Sequence, residues 1–230
     1  MAYDIKELTK EIHQNAERQE FVKTLMSGTI RPELYAIYLY NQLQCYSVLE
    51  KYGNANDLFR QTPGLQRAEN IHRDYKKLWP DISNPPRITP STQAYVKHIE
   101  TIQDDPEKLY GHIYVRHLGD LSGGQMISKK VPAKRYYDFI GKGQEYKRIV
   151  KEIINEYLNT YQINVMAEVT YCFESATELF KEMNEIGKPL VLTNEVFDEN
   201  NRDTENDPFK GTSIEAVSYT HLTLPTIYSV

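Results

Sequence analysis

The stretch that decides the fold is Leu109–Ile127, LYGHIYVRHLGDLSGGQMI. A helical pattern enters at Leu109 and leaves through Met126 and Ile127, yet Gly119, Gly123 and Gly124 interrupt its second half. Each glycine costs a helix about 0.8–1.0 kcal/mol against alanine, so something must offset them. Gly119 and Gly123 are four residues apart and open the same face of the helix. A bare backbone face lets a flat ligand lie against the chain. A glycine loop or a close helix–helix crossing would use the same residues, because a glycine inside a helix has a packing or a functional reason. The missing Gly-Lys-Ser/Thr ending argues against a phosphate loop.

On both sides of this stretch the 3.6-residue period continues. Ile5, Leu8, Ile12 and Ala16 mark an amphipathic helix from Tyr3 to about Lys23, stopped by Ser27-Gly28-Thr29. Arg31-Pro32-Glu33 opens a second helix, expected to stop at Gly53. A third is predicted from about Thr62 to Trp79, before Pro80. Asp81–Arg87, with Pro85-Pro86, reads as a loop, and Thr89-Pro90-Ser91 caps a fourth helix. Asp105-Pro106-Glu107 starts the fifth, which reaches past Gln125. Gln144 to about Tyr161 and Asn164 to about Glu185 complete the set. With no convincing strand and no internal repeat, the expected class is all-α, a single-domain helical bundle over residues 1–185. Residues 186–230 are expected to be a disordered acidic tail, carrying DENNRDTEND at Asp198–Asp207. Its end, SYTHLTLPTIYSV, looks like translated sequencing adapter, so Asn201–Val230 carries no functional weight.

The 230 residues hold 27 Lys plus Arg against 32 Asp plus Glu, a net charge of −5. That balance argues against a general nucleic-acid binder. Cys45 and Cys172 fit no metal spacing and no disulfide scaffold, which favours a reducing cytoplasm. No apolar run reaches the roughly 18 residues of a membrane span, and the N-terminus lacks a signal-peptide core. The charge is uneven, however. Lys129, Lys130, Lys134, Arg135, Lys142, Lys147, Arg148 and Lys151 are opposed only by Asp138 and Glu145. Such a stretch suits an anionic cofactor or an acidic partner, and equally a solvated helix face.

Among candidate ligands, His13 flanks the Ile5/Leu8/Ile12 stripe, with Lys6, Lys10 and Glu17 on the same side. Glu17, one turn on, can bond one ring nitrogen and leave the other for a metal. An ordinary boundary histidine paired with a carboxylate would look the same. Glu69-x-x-His72 has the ligand spacing of di-iron carboxylate bundles, but a second Glu-x-x-His is missing. His98, His112 and His117 show no partner by spacing.

Taken together, Tyr114–Gln125 (YVRHLGDLSGGQ), LTKEIHQNAE and TPSTQAYVKHI resemble the heme oxygenase family, over about Tyr3 to Met183. The resemblance implies the all-α heme oxygenase bundle, with heme b between a proximal and a glycine-rich distal helix. It implies His13 as the iron ligand and Glu17 as the carboxylate that orients it. Gly119, Gly123 and Gly124 would touch the heme from the distal side. Asp120, with Arg116 and Tyr46 beside it, would organise distal water. Lys6, Tyr114, Lys147 and Lys151 would meet the propionates, Lys151 standing where the family often has Arg, and Phe173 would pack on the heme. The implied reaction uses heme as cofactor and substrate, with O2 and external electrons, and yields biliverdin, carbon monoxide and ferrous iron. No flavin or nicotinamide motif is present, so electrons are expected from outside, and the resemblance to the family's soluble forms implies ferredoxin as the donor. A cytoplasmic monomer without membrane contact is expected. A heme carrier without turnover and a di-iron oxidase of similar shape are the competing expectations.

Overall fold

The computed structural model describes residues 5–188. The acidic stretch and the adapter-like end lie outside the described residues. Nine helices form among those described: α1 (Ile5–Leu8), α2 (Lys10–Glu17), α3 (Glu20–Ser27), α4 (Pro32–Ala55), α5 (Ala68–Leu78), α6 (Pro90–Thr101), α7 (Pro106–Ser122), α8 (Gly124–Ile127) and α9 (Gly143–Gly187). No strand occurs among the described residues, and the all-α expectation holds. No helix among them is long and apolar enough to cross a membrane.

Helix α4 is the centre of the bundle. Leu34, Tyr35, Tyr38, Leu39, Gln42, Cys45, Tyr46, Leu49 and Glu50 are all buried along it. It packs on α5, α6 and α7, while α9 packs on α2, α3, α6 and α7. Cys45 and Cys172 are buried free thiols.

Several boundaries differ from the sequence pattern, each for a local reason. The first predicted helix divides into α1, α2 and α3. Thr9 takes a non-helical conformation, with its Oγ1 donating to the carbonyl of Ile5 at 2.8 Å, the kind of local bond that competes with a helix ladder. Gln19 is extended and restarts the chain as α3. Gly53 does not end α4. A Cβ there would stand 2.5 Å from the Phe59 ring, so this glycine serves a close approach inside the helix.

The third predicted helix begins late because Arg67 folds back. Its guanidinium donates to the carbonyls of Gly64, Leu65, Gln66, Tyr136 and Asp138. Helix α5 therefore starts at Ala68. The capping expectation at Thr89 holds, its side chain accepting from the Thr92 N–H. The last two predicted helices hold: they meet within α9 across a kink at Tyr161, which leaves helical geometry at φ −125°, ψ 35°. No proline or glycine stands at the kink, and the chain resumes helical geometry directly after it.

Candidate active site

The C-terminal half of α7 carries Asp120 inward and Gly119 outward. Asp120 is buried. The Tyr46 hydroxyl of α4 donates to its Oδ2 at 2.6 Å, and the Tyr136 hydroxyl donates in turn to Tyr46 at 3.0 Å. Burial pushes the Asp120 carboxyl up to about 7, although the Tyr46 and Tyr136 hydroxyls and the charges of Arg67 and Arg116 pull it down. A carboxyl in that range is part protonated at neutral pH and can both give and take a proton.

Arg116 is buried one turn before Asp120 and makes no direct bond to it. Its Nη1 donates to Gln42 Oε1 at 3.0 Å, and Gln42 donates to Tyr38 at 2.7 Å. The guanidinium lies 4.0 Å from the Tyr95 ring centroid and 5.6 Å from that of Tyr46. Arg116 thus supports Tyr46 from behind, through its ring, and acts on Asp120 through charge.

The glycines separate into two kinds. Nothing lies within 4 Å of where a Cβ on Gly119 would stand, and Gly123 meets only the Gly119 carbonyl at 3.7 Å. These two leave the end of α7 as bare backbone beside the buried Asp120. At Gly124 a Cβ would fall 2.5 Å from the Tyr137 ring, so that glycine has a packing reason of its own. An open backbone face next to a buried proton donor fits a flat ligand laid against α7, and this face is where a heme would be accommodated.

His13 sits on α2, half exposed, with Nε2 3.4 Å from Glu17 Oε1. The ring packs edge-on against Phe173 of α9, with centroids 5.6 Å apart. The structure therefore brings His13, Glu17 and Phe173 together. Tyr114 is buried in α7, Lys6 is exposed on α1, and Lys147 and Lys151 follow one another by one turn on α9. The basic residues Lys129, Lys130, Lys134 and Arg135 are exposed in the segment between α8 and the 3-10 turn Arg135–Tyr137. They do not form a helix face. Lys77 of α5 joins Lys129, Lys134 and Arg135 around a pocket that has Asp74 in its wall. Glu69, the first half of the Glu-x-x-His pair, bonds Arg73 at 2.8 Å.

This geometry can be set beside known proteins. The family model described as heme oxygenase matches residues 1–188. The chain belongs to the heme oxygenase family. Heme oxygenase of Guillardia theta is 30% identical over 206 residues, covering 80% of this chain and 86% of that protein. Heme oxygenase 2 of Mus musculus is 29% identical over 210 residues, covering 81% of this chain and 66% of the mouse protein. The chain thus spans just under two thirds of that relative's length. The crystal structure of heme oxygenase-1 from Synechocystis in complex with heme superposes with a TM-score of 0.66 at 24% identity, covering 79% and 90% of the two chains. It shares the helical fold described above.

Residues missed by sequence reasoning complete the heme oxygenase bundle around α7. Tyr136 and Gln42 extend the Asp120 and Arg116 networks. The three histidines that showed no partner by spacing all have one. His117 Nε2 lies 3.3 Å from Glu50 Oε1, and Glu50 also accepts the backbone N–H groups of Arg67 and Ala68 at the start of α5. His98 and His112 share Glu168. The available signal was a carboxylate on an apolar stripe: Glu168 follows Val165 and precedes Val169 and Cys172, and Glu50 follows Tyr46 and Leu49.

Proposed function

We propose that this chain cleaves heme with O2 and external electrons to biliverdin, carbon monoxide and ferrous iron. The observation that carries the proposal is Asp120, buried, bonded to Tyr46 at 2.6 Å and pushed up to about 7, beside the open backbone of Gly119. A carrier needs no such proton store next to its ligand. When bound, heme supplies both the iron at which O2 is reduced and the macrocycle that is cut.

The residues divide the remaining work. His13 holds the iron, and Glu17 and Phe173 fix its ring. Gly119 and Gly123 let the macrocycle approach the α7 backbone, with Gly124 keeping α8 close behind. Lys6, Tyr114, Lys147 and Lys151 take the propionates. Asp120 holds water through its carboxylate and passes protons at Oδ2, with Tyr46 fixing that oxygen and Arg116 fixing Tyr46. Mixing the full-length protein with heme and ascorbate in air tests this, by pigment chromatography. Biliverdin is expected, and intact heme with a stable spectrum would mean a carrier. His13→Ala should lose the imidazole that would hold the iron and regain part of the activity with added imidazole. Unchanged spectrum and turnover in that variant would remove His13 as the ligand.

Ferredoxin is the donor in this reading, and the protein acts as a cytoplasmic monomer. Support for the donor comes from the exposed Lys129, Lys130, Lys134 and Arg135 on a chain of net charge −5. Steering between opposite charges weakens with salt, as the Debye length falls from about 10 Å at 0.1 M to about 3 Å at 1 M. Ferredoxin-driven turnover should fall steeply with ionic strength and ascorbate-driven turnover much less. Equal salt dependence, or no response to Lys129→Glu with Lys130→Glu, would discard the docking role.

A further inference from the structure

The group His98, His112 and Glu168 lies outside the heme face and is not used by the proposed reaction. His112 is seven residues before Gly119 on α7, about 10 Å along the axis. The three residues come from three helices, α6, α7 and α9. Glu168 Oε2 is 2.6 Å from His98 Nε2 and 2.9 Å from His112 Nε2, so one carboxylate oxygen serves two imidazoles. The three ligand atoms all lie within 4.8 Å of one another. We propose that His98, His112 and Glu168 form a binding site for one divalent transition-metal ion of the zinc class.

The donor set is two imidazoles and a carboxylate, which suits zinc and its neighbours and not calcium or magnesium. Bound at roughly 2.0–2.2 Å from each ligand, a tetrahedral ion holds them about 3.4 Å apart. Reaching that spacing needs the two nitrogens to draw back from the shared oxygen by under an ångström. His112 is fully buried. Its side is closed, whereas the His98 side chain is 26% exposed. That edge gives the ion a way in and leaves the fourth position to water.

The protons balance within the rings. In the metal-free state each Nε2 faces the carboxylate, and His112 Nδ1 has no partner. The ion takes the Nε2 lone pair, and the ring proton moves to Nδ1. In His112 that N–H has no acceptor, so the site binds more weakly than one whose outer partners are complete. This inference does not rest on the heme reaction.

The test is equilibrium dialysis of the full-length, chelator-treated protein against zinc, with metal content measured by atomic emission. Heme-loaded protein is the reference, because heme occupies His13. One zinc per chain is expected, together with a zinc-dependent rise in Tm. His98→Gln and Glu168→Gln should each weaken binding at least tenfold and abolish the rise, while His72→Ala should change neither. If Glu168→Gln does not fold, His98→Gln at the exposed edge still decides the question. Absence of stoichiometric zinc, or equal binding by His98→Gln, overturns the site. Should the protein fail to take up heme, the same variant pair in the heme-free chain gives the answer, and only the heme reading falls.

Discussion

Eight residues apart on α7, His112 and Asp120 each sit at the middle of a buried polar group, and burial acts on the two carboxylates involved with the same sign. Desolvation raises Asp120 and Glu168 alike. They end in different places because their partners differ. Asp120 is bonded by a neutral hydroxyl, with Arg67 and Arg116 acting only through charge, and stays up at about 7. Glu168 has two imidazole nitrogens on one oxygen, and those bonds outweigh its burial and hold it low. Helix α7 thus carries a carboxyl kept ready to exchange a proton and, eight residues earlier, a histidine whose partner on α9 is a carboxylate kept ionised. The kind of partner, more than the depth of burial, sets which role each can play.

The largest test of that contrast is to replace each carboxylate by its amide. Asp120→Asn keeps the shape and a partner for Tyr46 but cannot carry the proton. General acid–base steps are worth about 10²–10⁴ in rate, so biliverdin formation should fall by that order while heme still binds. Glu168→Gln should act first on stability. It weakens two hydrogen bonds to a charged group, each worth about 1.5–3 kcal/mol, and should lower Tm by several degrees. Turnover and thermal melts on both variants separate the cases. Normal biliverdin yield from Asp120→Asn removes Asp120 from the mechanism, and an equal rate loss in Glu168→Gln erases the distinction between the two groups.

A smaller effect distinguishes the two sides of the glycine cluster. Gly124→Ala places a methyl group 2.5 Å from the Tyr137 ring, and overpacking of this kind costs typically about 1–3 kcal/mol. Gly119→Ala meets nothing within 4 Å, so it should leave the fold intact or stabilise it by up to about 1 kcal/mol while weakening heme binding. Denaturation midpoints and heme titrations on the pair read both effects. A Gly119→Ala protein with unchanged heme affinity would show that the open face is not where the macrocycle lies.

These glycines also show how far the sequence reaches. The spacing of Gly119 and Gly123 marked one open face, because helical geometry is local and periodic. Gly124 looked the same on paper, since its neighbour Tyr137 comes from a turn thirteen residues later. The helices were legible for the same reason, down to the Thr89 cap and the break near Tyr161. The breaks at Gln19 and Arg67 were not. Arg67 ends its segment by bonding carbonyls of Tyr136 and Asp138, and no local pattern encodes such contacts. His98, His112 and Glu168 meet from three helices. The one sequence signal for them, a carboxylate on the Val165/Val169/Cys172 stripe, becomes readable only once the structure shows its partners.

The smallest test uses pH and addresses the contrast most directly. Asp120 rises from the ordinary carboxylate range near 3.8 to about 7 on folding. The folded state therefore binds more protons than the unfolded one in that window. Its contribution to stability is full below about 4 and is lost as pH climbs to about 7. His112 moves the other way, from 6.5 down to about 4. Its contribution is full above about 6.5 and is lost as pH falls toward 4. The two slopes oppose each other over nearly the same range, so the wild-type protein should show a shallow dependence there. Asp120→Asn removes one side and should lose stability on acidification, with a slope of at most about 1.4 kcal/mol per pH unit. His112→Gln removes the other side and should gain stability over the same interval. Urea denaturation of the three proteins between about pH 4.5 and 6.5 measures the slopes. If both variants keep the wild-type slope, the two groups do not titrate in opposite senses, and Asp120 has no proton to offer near neutral pH.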